Sequence, residues 1–496
     1  MSASLTVRPE EAVAPYILAV DVGSTGTRAG IYDAQARPVK GFKTKVGHAF
    51  TTIANGTSTI DPDQVTAEVR QVVGEVLDGF AHPVAGVAID TFASSLVGVD
   101  ADGAAITPCY TYADSRSSAQ VNYLKSILNE DDTQQRTGTR QHTGYLPSRF
   151  LWLKQTDPHT FARVRRWVSL GEYAWLRIIG TTAAGTSTAA WTGMLNRREG
   201  AWDATLLDLV GVDVERLSPI APPSRPLTPV VSVGADWPAL KDAVWFAPIS
   251  DGHSQSIGAG SVDASTMVLS AATSGALRVL VAGDRDNLPR GLWCNRIDET
   301  SSILGGALND VGRAVTWLEA TLKLPPAEEL AALVVSDPEP GLPVVLPWFS
   351  GERSTGWVGE ARAVLHRVSA ATTASDLYRA TIEGVALSYV RMLRDLVTVA
   401  GRPAEIIATG RVTADQPGLM QVIADASGVP VTPLTLKRST LRGTALHALP
   451  VLAPGVEPAA APKGDTYEPH PERLGYYHRR MERFQVVYDK LIAHAN

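Results

Sequence analysis

The chain reads as an α/β protein built twice over, two lobes that close on one ligand. Three observations predict it. Tyr16 to Asp33, YILAVDVGSTGTRAGIYD, is an apolar β-branched run, a small polar turn and a second strand, which is the grammar of a hairpin with a polar tip. Met267 to Val281, MVLSAATSGALRVLV, repeats that grammar in the second half, as a duplicated fold would. Finally, 496 residues exceed what one hydrophobic core organises.

The tips carry the first chemistry. Gly23 and Gly26 let the backbone approach a ligand closely, and Ser24, Thr25 and Thr27 add hydroxyl donors to its N–H groups, a set suited to phosphate oxygens. Asp21 ends the strand beside those donors; its carboxylate is misplaced next to a bare phosphate and well placed if Mg2+ lies between them. Taken singly, such a turn is also an ordinary polar hairpin, so the rest of the chain must decide.

Pro62 to about Phe80 has helical spacing of valines, Ala85 to Ile89 is a third strand, and Asp90 to Ser95, DTFASS, sits at its end, where α/β folds bind ligands. A strand pair turned at Asp102 and Gly103 follows. In Tyr110 to Ser118, Asp114 and Arg116 share one side of an extended segment, free to pair with each other or to hold a hydroxylated ligand. Thr137 to Trp152 brings His142 and Tyr145 into a loop before a helix, and residues 153 to 205 hold two helices and the Thr/Ser-rich run Gly185 to Asn196. Ala221 to Pro229, APPSRPLTP, is a rigid connection near a domain boundary.

Beyond it, Val244 to Ile249 is a strand ending at Ser250, Asp251 and Gly252, and Ile303 to Leu318 runs from a Gly-Gly turn into a helix with Gly312 near its start. Thr373 to Val397 is a long amphipathic helix capped by Thr373 or Ser375. Glu405 to Ala408 is a strand, followed by Thr409, Gly410, Arg411 and Val412 and by a helix from Leu419 to Ser427 that Gly428 closes.

Composition excludes other classes. The chain is 45% hydrophobic and 19% charged with a net charge of −6, which lacks the basic surface that nucleic acid requires. Cys109 and Cys294 have no metal-ligand spacing and read as free buried thiols. The N-terminal MSASLTVRPEEAVAPY has no apolar leader core, and no stretch approaches the ~20 apolar residues of a membrane span. A cytosolic protein is expected, with a symmetric dimer as the general expectation for such enzymes.

With these residues in hand, the chain resembles the FGGY family of carbohydrate kinases across nearly its whole length. DVGSTGTR at 21–28 resembles the family's first phosphate motif, SDG at 250–252 its catalytic loop, ATSGALRV its second phosphate motif and TGRVTADQPGLMQVIADASGVPV at 409–431 its adenosine motif. TFASSLVGVDADG, TYADSRS, TGTRQHTGYLPSRFLWL, STAAWTGMLN and TSGALRV are most similar to the gluconokinase-like branch. The resemblance implies two ribonuclease-H-like domains of the actin, sugar kinase and heat-shock ATPase type flanking a central cleft, residues 1–249 and 250–496.

It also implies roles. A sugar hydroxyl needs a carboxylate to accept its proton, at a strand end facing the phosphate cradle; Asp251 is so placed, and the family's general base falls on the same residue. Ser24, Thr25, Gly26, Arg28, Thr273, Ser274 and Gly275 would hold the ATP phosphates, Arg28 alternatively stabilising the first hairpin, with Asp21 orienting Mg2+. Gly312, Gly410, Arg411 and Gln416 would line the ribose and adenine pocket, and Ser94, Asp114, His142, Tyr145 and Gly252 would contact the sugar. Three positions depart from the pattern: Arg411 and Val412 stand where the gluconokinase-like branch has Gly-Gly, Ser94 where relatives carry His, and Tyr112 where they carry Trp. Arg140 either meets a substrate carboxylate or is a solvated loop charge.

The expected activity is ATP-dependent phosphorylation of a terminal hydroxyl of a small carbohydrate, gluconate or a related sugar acid first. A ketopentose such as xylulose or ribulose, or a polyol, is the alternative substrate. An ATP-binding switch is the alternative of another class.

Overall fold

In the computed structural model, which describes residues 5–493, two six-stranded sheets carry the chain. The first four residues of the N-terminal stretch read above lie outside the described residues. β1 (Tyr16–Gly23) pairs antiparallel with β2 (Gly26–Tyr32), setting Asp21 opposite Arg28, and β3 (Pro38–Val46) adds to β2. α1 (Pro62–Leu77) starts at a proline behind Asp61, whose side chain accepts from the N–H groups of Asp63 and Gln64, the expected N-terminal chemistry. It stops short of Phe80, where Gly79 takes φ +72°. β4 (Val84–Thr91) then returns parallel to β1 and places Asp90 beside Asp21.

The strand expected over 244–249 arrives in two pieces, β5 (Val244–Trp245) and β6 (Ile249–Ser250), both parallel to β4. Pro248 between them has no N–H for the ladder. α2 (Asp251–Gly258) follows at once, capped by Ser250, whose side chain accepts from the His253 N–H.

The second sheet repeats the plan. β7 (Thr266–Ala271) and β8 (Gly275–Ala282) form the hairpin. β9 (Trp293–Arg296) and β10 (Ser301–Leu308) extend it on the β8 side. α3 (Gly312–Thr321) and α4 (Ala374–Ala400) come before β11 (Glu405–Thr409), which lies parallel to β7. α5 (Pro417–Ser427) ends at Gly428 in the left-handed region, and β12 (Val431–Pro433) completes the edge. Thr373 caps α4 in a reciprocal box with Asp376.

One expectation fails here: Gly305 and Gly306 lie inside β10 and make no turn. A Cβ on Gly305 would sit 2.6 Å from Trp293 Cη2, and one on Gly306 2.7 Å from Met392 Sδ, so the glycines make room for side chains crossing the strand.

The order hairpin, third antiparallel strand, then two parallel strands is common to both sheets and is the ribonuclease-H-like arrangement. β1 is buried on both faces: Leu18, Val20 and Val22 join the core under α1, whereas Ile17 and Ala19 pack on Leu441, Ala445 and Leu449. Those last residues belong to α6 (Ser439–Leu452), so a helix late in the chain covers the back of the first sheet. α6 also crosses α2 at close range: a Cβ on Gly443 would lie 1.8 Å from the Ser254 carbonyl oxygen, and one on Gly258 1.9 Å from that of Ser439.

Smaller corrections are local. The turn at Asp102 and Gly103 forms, but Val97–Val99 pairs with Arg166–Val168, and only Val99 and Ala105 bridge across the turn. Between 153 and 205 the chain makes Pro158–Arg163 and Leu170–Ile179, and the Thr/Ser-rich run itself winds into a helix, Thr186–Trp191. The Pro-rich segment is stitched to the first lobe through a Leu227–Trp245 bridge. Both cysteines are buried and free. No helix among the described residues is long and apolar enough to cross a membrane.

Candidate active site

Asp251 is the first residue of α2, delivered there by β6 at the end of the first sheet. Burial raises its carboxyl to about 6, Asp21 adds to the rise, and Arg278 with the N–H groups of Gly252 and Ala93 holds it from rising further. A carboxylate with that proton affinity is mostly ionised at neutral pH yet basic enough to take a hydroxyl proton. Arg278, on β8, donates to Gln255 Oε1 on α2 (2.7 Å). Thr409, at the end of β11, lies 3.5 Å from Gln255 Nε2. The ends of both sheets therefore meet at the helix that carries Asp251.

The first hairpin presents Ser24 and Thr25 to solvent while Asp21 is only 5% exposed. Arg28, expected at phosphate, is turned onto the hairpin instead: Nη1 donates to Asp21 Oδ2 (3.0 Å) and Nη2 to Thr25 Oγ1 (3.3 Å). His48 braces the tip from below, with Nε2 donating to the Gly23 carbonyl (2.8 Å) and Nδ1 2.7 Å from Glu68 Oε2. Sequence reading missed His48, and its distance from the hairpin explains why.

It placed Asp90 at a strand end without giving it a role; the residue is fully buried beside Asp21, with Oδ2 accepting from Thr444 Oγ1 and Oδ1 left without a partner. Burial and the Asp21 charge push Asp90 far up. Asp21 has Arg28 as counter-ion, so Asp90 is the group that holds the proton. An acid raised in the folded state favours folding at low pH and penalises it as pH rises through the folded pKa. Asp90→Asn is therefore expected to raise the melting temperature at pH 8 more than at pH 5; an equal shift at both, followed by calorimetry, would count against a protonated Asp90.

On the other side of Asp251 lie the loops read as sugar-binding. The Tyr112 ring meets those of Phe92 (6.1 Å) and Phe50 (6.3 Å) edge-on, and burial with the Asp251 charge raises its hydroxyl pKa. The His142 ring is 6.3 Å from Tyr145 and 5.9 Å from Trp357. His142 Nδ1 accepts from the Gly144 N–H (3.0 Å), leaving the ring proton on Nε2. Burial, with Arg353 adding, lowers its pKa to about 3, so it faces the cleft as a neutral donor. Ser94 adopts φ +56° and spends its hydroxyl proton on the Trp191 carbonyl. Buried Arg149 ties three loops together, donating to the carbonyls of Ser94 (2.8 Å), Thr111 (2.9 Å) and Thr143 (3.2 Å).

Two candidates turn away from a ligand. Asp114 is committed to Arg116 and to the Ser58 N–H (3.0 Å), the structural pairing of the two alternatives. Arg140 is bound by Glu130 (2.9 Å) and Asp131 (2.8 Å).

At the second hairpin, Thr273 and Ser274 are exposed and Gly275 is buried. Gly312 and Gly410 both press on this tip. The Gly312 N–H donates to the Ala272 carbonyl (2.8 Å), and a Cβ on Gly410, at φ +100°, would lie 2.2 Å from the Ala271 carbonyl oxygen. Gln416 Oε1 accepts from the Tyr378 hydroxyl (2.8 Å). Arg411 stands in solvent beside Asp415 (3.1 Å), neither stacked over this pocket nor filling it.

Among the described residues no three His, Cys, Asp or Glu side chains converge on a point as a protein-built metal cage would. A Mg2+ carried by nucleotide phosphates and water needs only one or two carboxylates, and the strand-end carboxylate of Asp21 fits that demand.

A duplicated ribonuclease-H-like fold with a half-buried carboxylate where two hydroxyl-tipped sheets meet is the architecture of a nucleotide-dependent phosphotransferase. Residues 16–237 match the model for the N-terminal domain of the FGGY family of carbohydrate kinases and residues 265–450 that for its C-terminal domain. The chain belongs to that family and is a carbohydrate kinase, for which ATP is the phosphate donor.

A gluconokinase of Bacillus licheniformis is 23% identical over 418 residues, covering 80% of each chain. A xylulose kinase of Staphylococcus xylosus is 22% identical, covering 87% of this chain and 90% of its own. Among solved structures, gluconate kinase from Lactobacillus acidophilus superposes with a TM-score of 0.90 at 24% identity, covering 97% of this chain and 98% of that one. Ligand-bound xylulose kinase from the same organism reaches 0.89, also at 24% identity, with 97% and 99% covered.

Proposed function

We propose that this kinase transfers the terminal phosphoryl group of ATP to a terminal hydroxyl of a sugar acid, with gluconate as the first candidate. The observation that supports it most is Asp251, raised to about 6 and bonded by the Ala93 N–H, next to Ser94, whose carbonyl Arg149 ties to those of Thr111 and Thr143 in the loops of Tyr112 and His142. Asp251 takes the proton of the acceptor hydroxyl as the bond to phosphorus forms. Ser24 and Thr25 on one tip and Thr273, Ser274 and the Gly275 N–H on the other donate to phosphate oxygens. Such positioned donors stabilise charge that develops on the transferring group. Gly312, Gly410 and Gln416 border the nucleoside. Mg2+, when bound beside Asp21, neutralises phosphate charge.

His142 Nε2–H and Tyr145 offer hydrogen bonds to the sugar hydroxyls, while the Trp357 ring beside His142 supplies an apolar wall. The gluconokinase and gluconate kinase relatives support an acid acceptor. The xylulose kinases support a ketopentose as second reading. A cytosolic, dimeric enzyme completes the proposal.

Coupled ADP release across aldonates, ketopentoses and polyols tests it. Gluconate or another aldonate is expected to give the highest kcat/KM; a ketopentose turned over with no aldonate activity would replace the first reading with the second.

A further inference from the structure

One charge near Asp251 lacks a partner. Arg353 follows Glu352, its natural counter-ion, but that carboxylate is already taken: Oε1 accepts from Arg391 (3.0 Å) and the Gly356 N–H (3.1 Å), and Oε2 from the Tyr488 hydroxyl (2.8 Å). Arg353 Nε is buried with no hydrogen-bond partner, and so is Nε of Arg278. Ser354, the next residue, donates its N–H to the Ala307 carbonyl (3.0 Å) on β10, opposite Ala276 on the strand that carries Arg278, and Arg353 disfavours the charged form of Arg278 and of His142. Arg278 Nε lies 3.6 Å from where a Cβ on Gly252 would stand, and the neighbouring Asp251 is the carboxylate that favours its charge. Two cations against one anion leave a positive charge with no counter-ion, and buried donors left empty are costly. His142 is neutral and answers none of it. The place is completed by an anion that arrives with the ligand.

We infer that Arg353 and Arg278 together seat the carboxylate of the sugar acid and so set the preference for an acid over a neutral acceptor, an inference that rests on the aldonate reading above. A guanidinium matches a carboxylate with parallel N–H donors, which an ammonium does not reproduce. Trp357, whose N–H donates to the Arg353 carbonyl (2.6 Å), stands 5.9 Å from the His142 ring, which puts the seat on the side of Asp251 where the loops read as sugar-binding lie. Arg140, the charge that local sequence suggested for this task, is neutralised within its own loop.

The test compares kcat/KM for gluconate and for a neutral ketopentose or polyol in the full-length enzyme and in Arg353→Met, Arg353→Gln and Arg353→Lys, with melting curves to establish folding. Loss of a charge-assisted pair is expected to lower gluconate kcat/KM by about 100-fold in Arg353→Met, mainly through KM. The gluconate-to-neutral ratio should fall at least ~10-fold, with partial recovery in Arg353→Lys. Equal losses on both acceptors would mean that the arginines serve the terminal phosphate of ATP, and would overturn the inference while leaving the aldonate reading intact. A wild-type enzyme that phosphorylates no aldonate overturns both. If no neutral acceptor is turned over, gluconate Kd by calorimetry without nucleotide decides: weakening of ~10-fold or more supports the seat, and an unchanged Kd overturns it. Should Arg353→Met fail to fold, Arg353→Lys and Arg353→Gln carry the same comparison.

Discussion

Asp251→Asn is expected to abolish most turnover and to make the protein more stable at the same time. Removing a positioned general base typically costs 10²–10⁴-fold, so kcat should fall by about 10³-fold with ATP binding retained. The stability change follows from the raised carboxyl. In the unfolded chain the group titrates near its ordinary 3.8, in the folded protein at about 6. Below both values the two states bind the same proton and nothing changes. As pH rises through this window the folded state is left with a carboxylate in a poor environment, and stability is lost. Past about 6 the wild type carries the full penalty, roughly 1–2 kcal/mol once partial solvent access is allowed for. Asn carries none, so its melting temperature should exceed that of the wild type at pH 8 by more than at pH 4. In the wild type, kcat/KM for the acceptor should climb with pH below about 6 and level off above it. A variant with full activity would remove Asp251 from its role.

Gly443→Ala is the second large effect. The added methyl would meet the Ser254 backbone at 1.8 Å from the carbonyl oxygen and 2.5 Å from its carbon, and helical backbone on both sides leaves no flexible end to give way. The helices α2 and α6 must separate, at a cost of about 3 kcal/mol or more. Because α2 begins at Asp251, the base moves with it, and a displacement of about 1 Å is enough to lose ~10²-fold in kcat. Urea denaturation and initial rates measure both. Gly341→Ala, where a Cβ meets nothing within 4 Å, is the control expected to change neither. Wild-type stability and rate in Gly443→Ala would show that the crossing tolerates more room than its geometry allows.

The two hairpins and Asp251 were legible because their signals are local. An apolar run, a turn of small hydroxyl residues and a second run specify a hairpin within a few residues, and strand, Ser-Asp-Gly, helix specifies a carboxylate at a helix start. Gly305 and Gly306 misled for the converse reason: a glycine pair reads locally as a turn, but these two are small because Trp293 and Met392 need the space. For Arg28 and Asp114 the sequence left a ligand and a structural partner both open; the fold supplies the partner, Asp21 directly across the hairpin and Arg116 two residues on.

From the sequence alone came the duplicated α/β plan, the polar tips and a carboxylate, Asp251, where a strand end meets a helix start, all set by patterns a few residues long. Which charges are free was decided only by the tertiary structure. Glu352 and Arg353 are adjacent, yet Glu352 is claimed by Arg391 and Tyr488 from helices far along the chain, and Asp90 becomes an acid because β4 sets it beside Asp21. A charge is neutralised by whatever the fold brings within a few ångströms, and sequence distance carries no record of that.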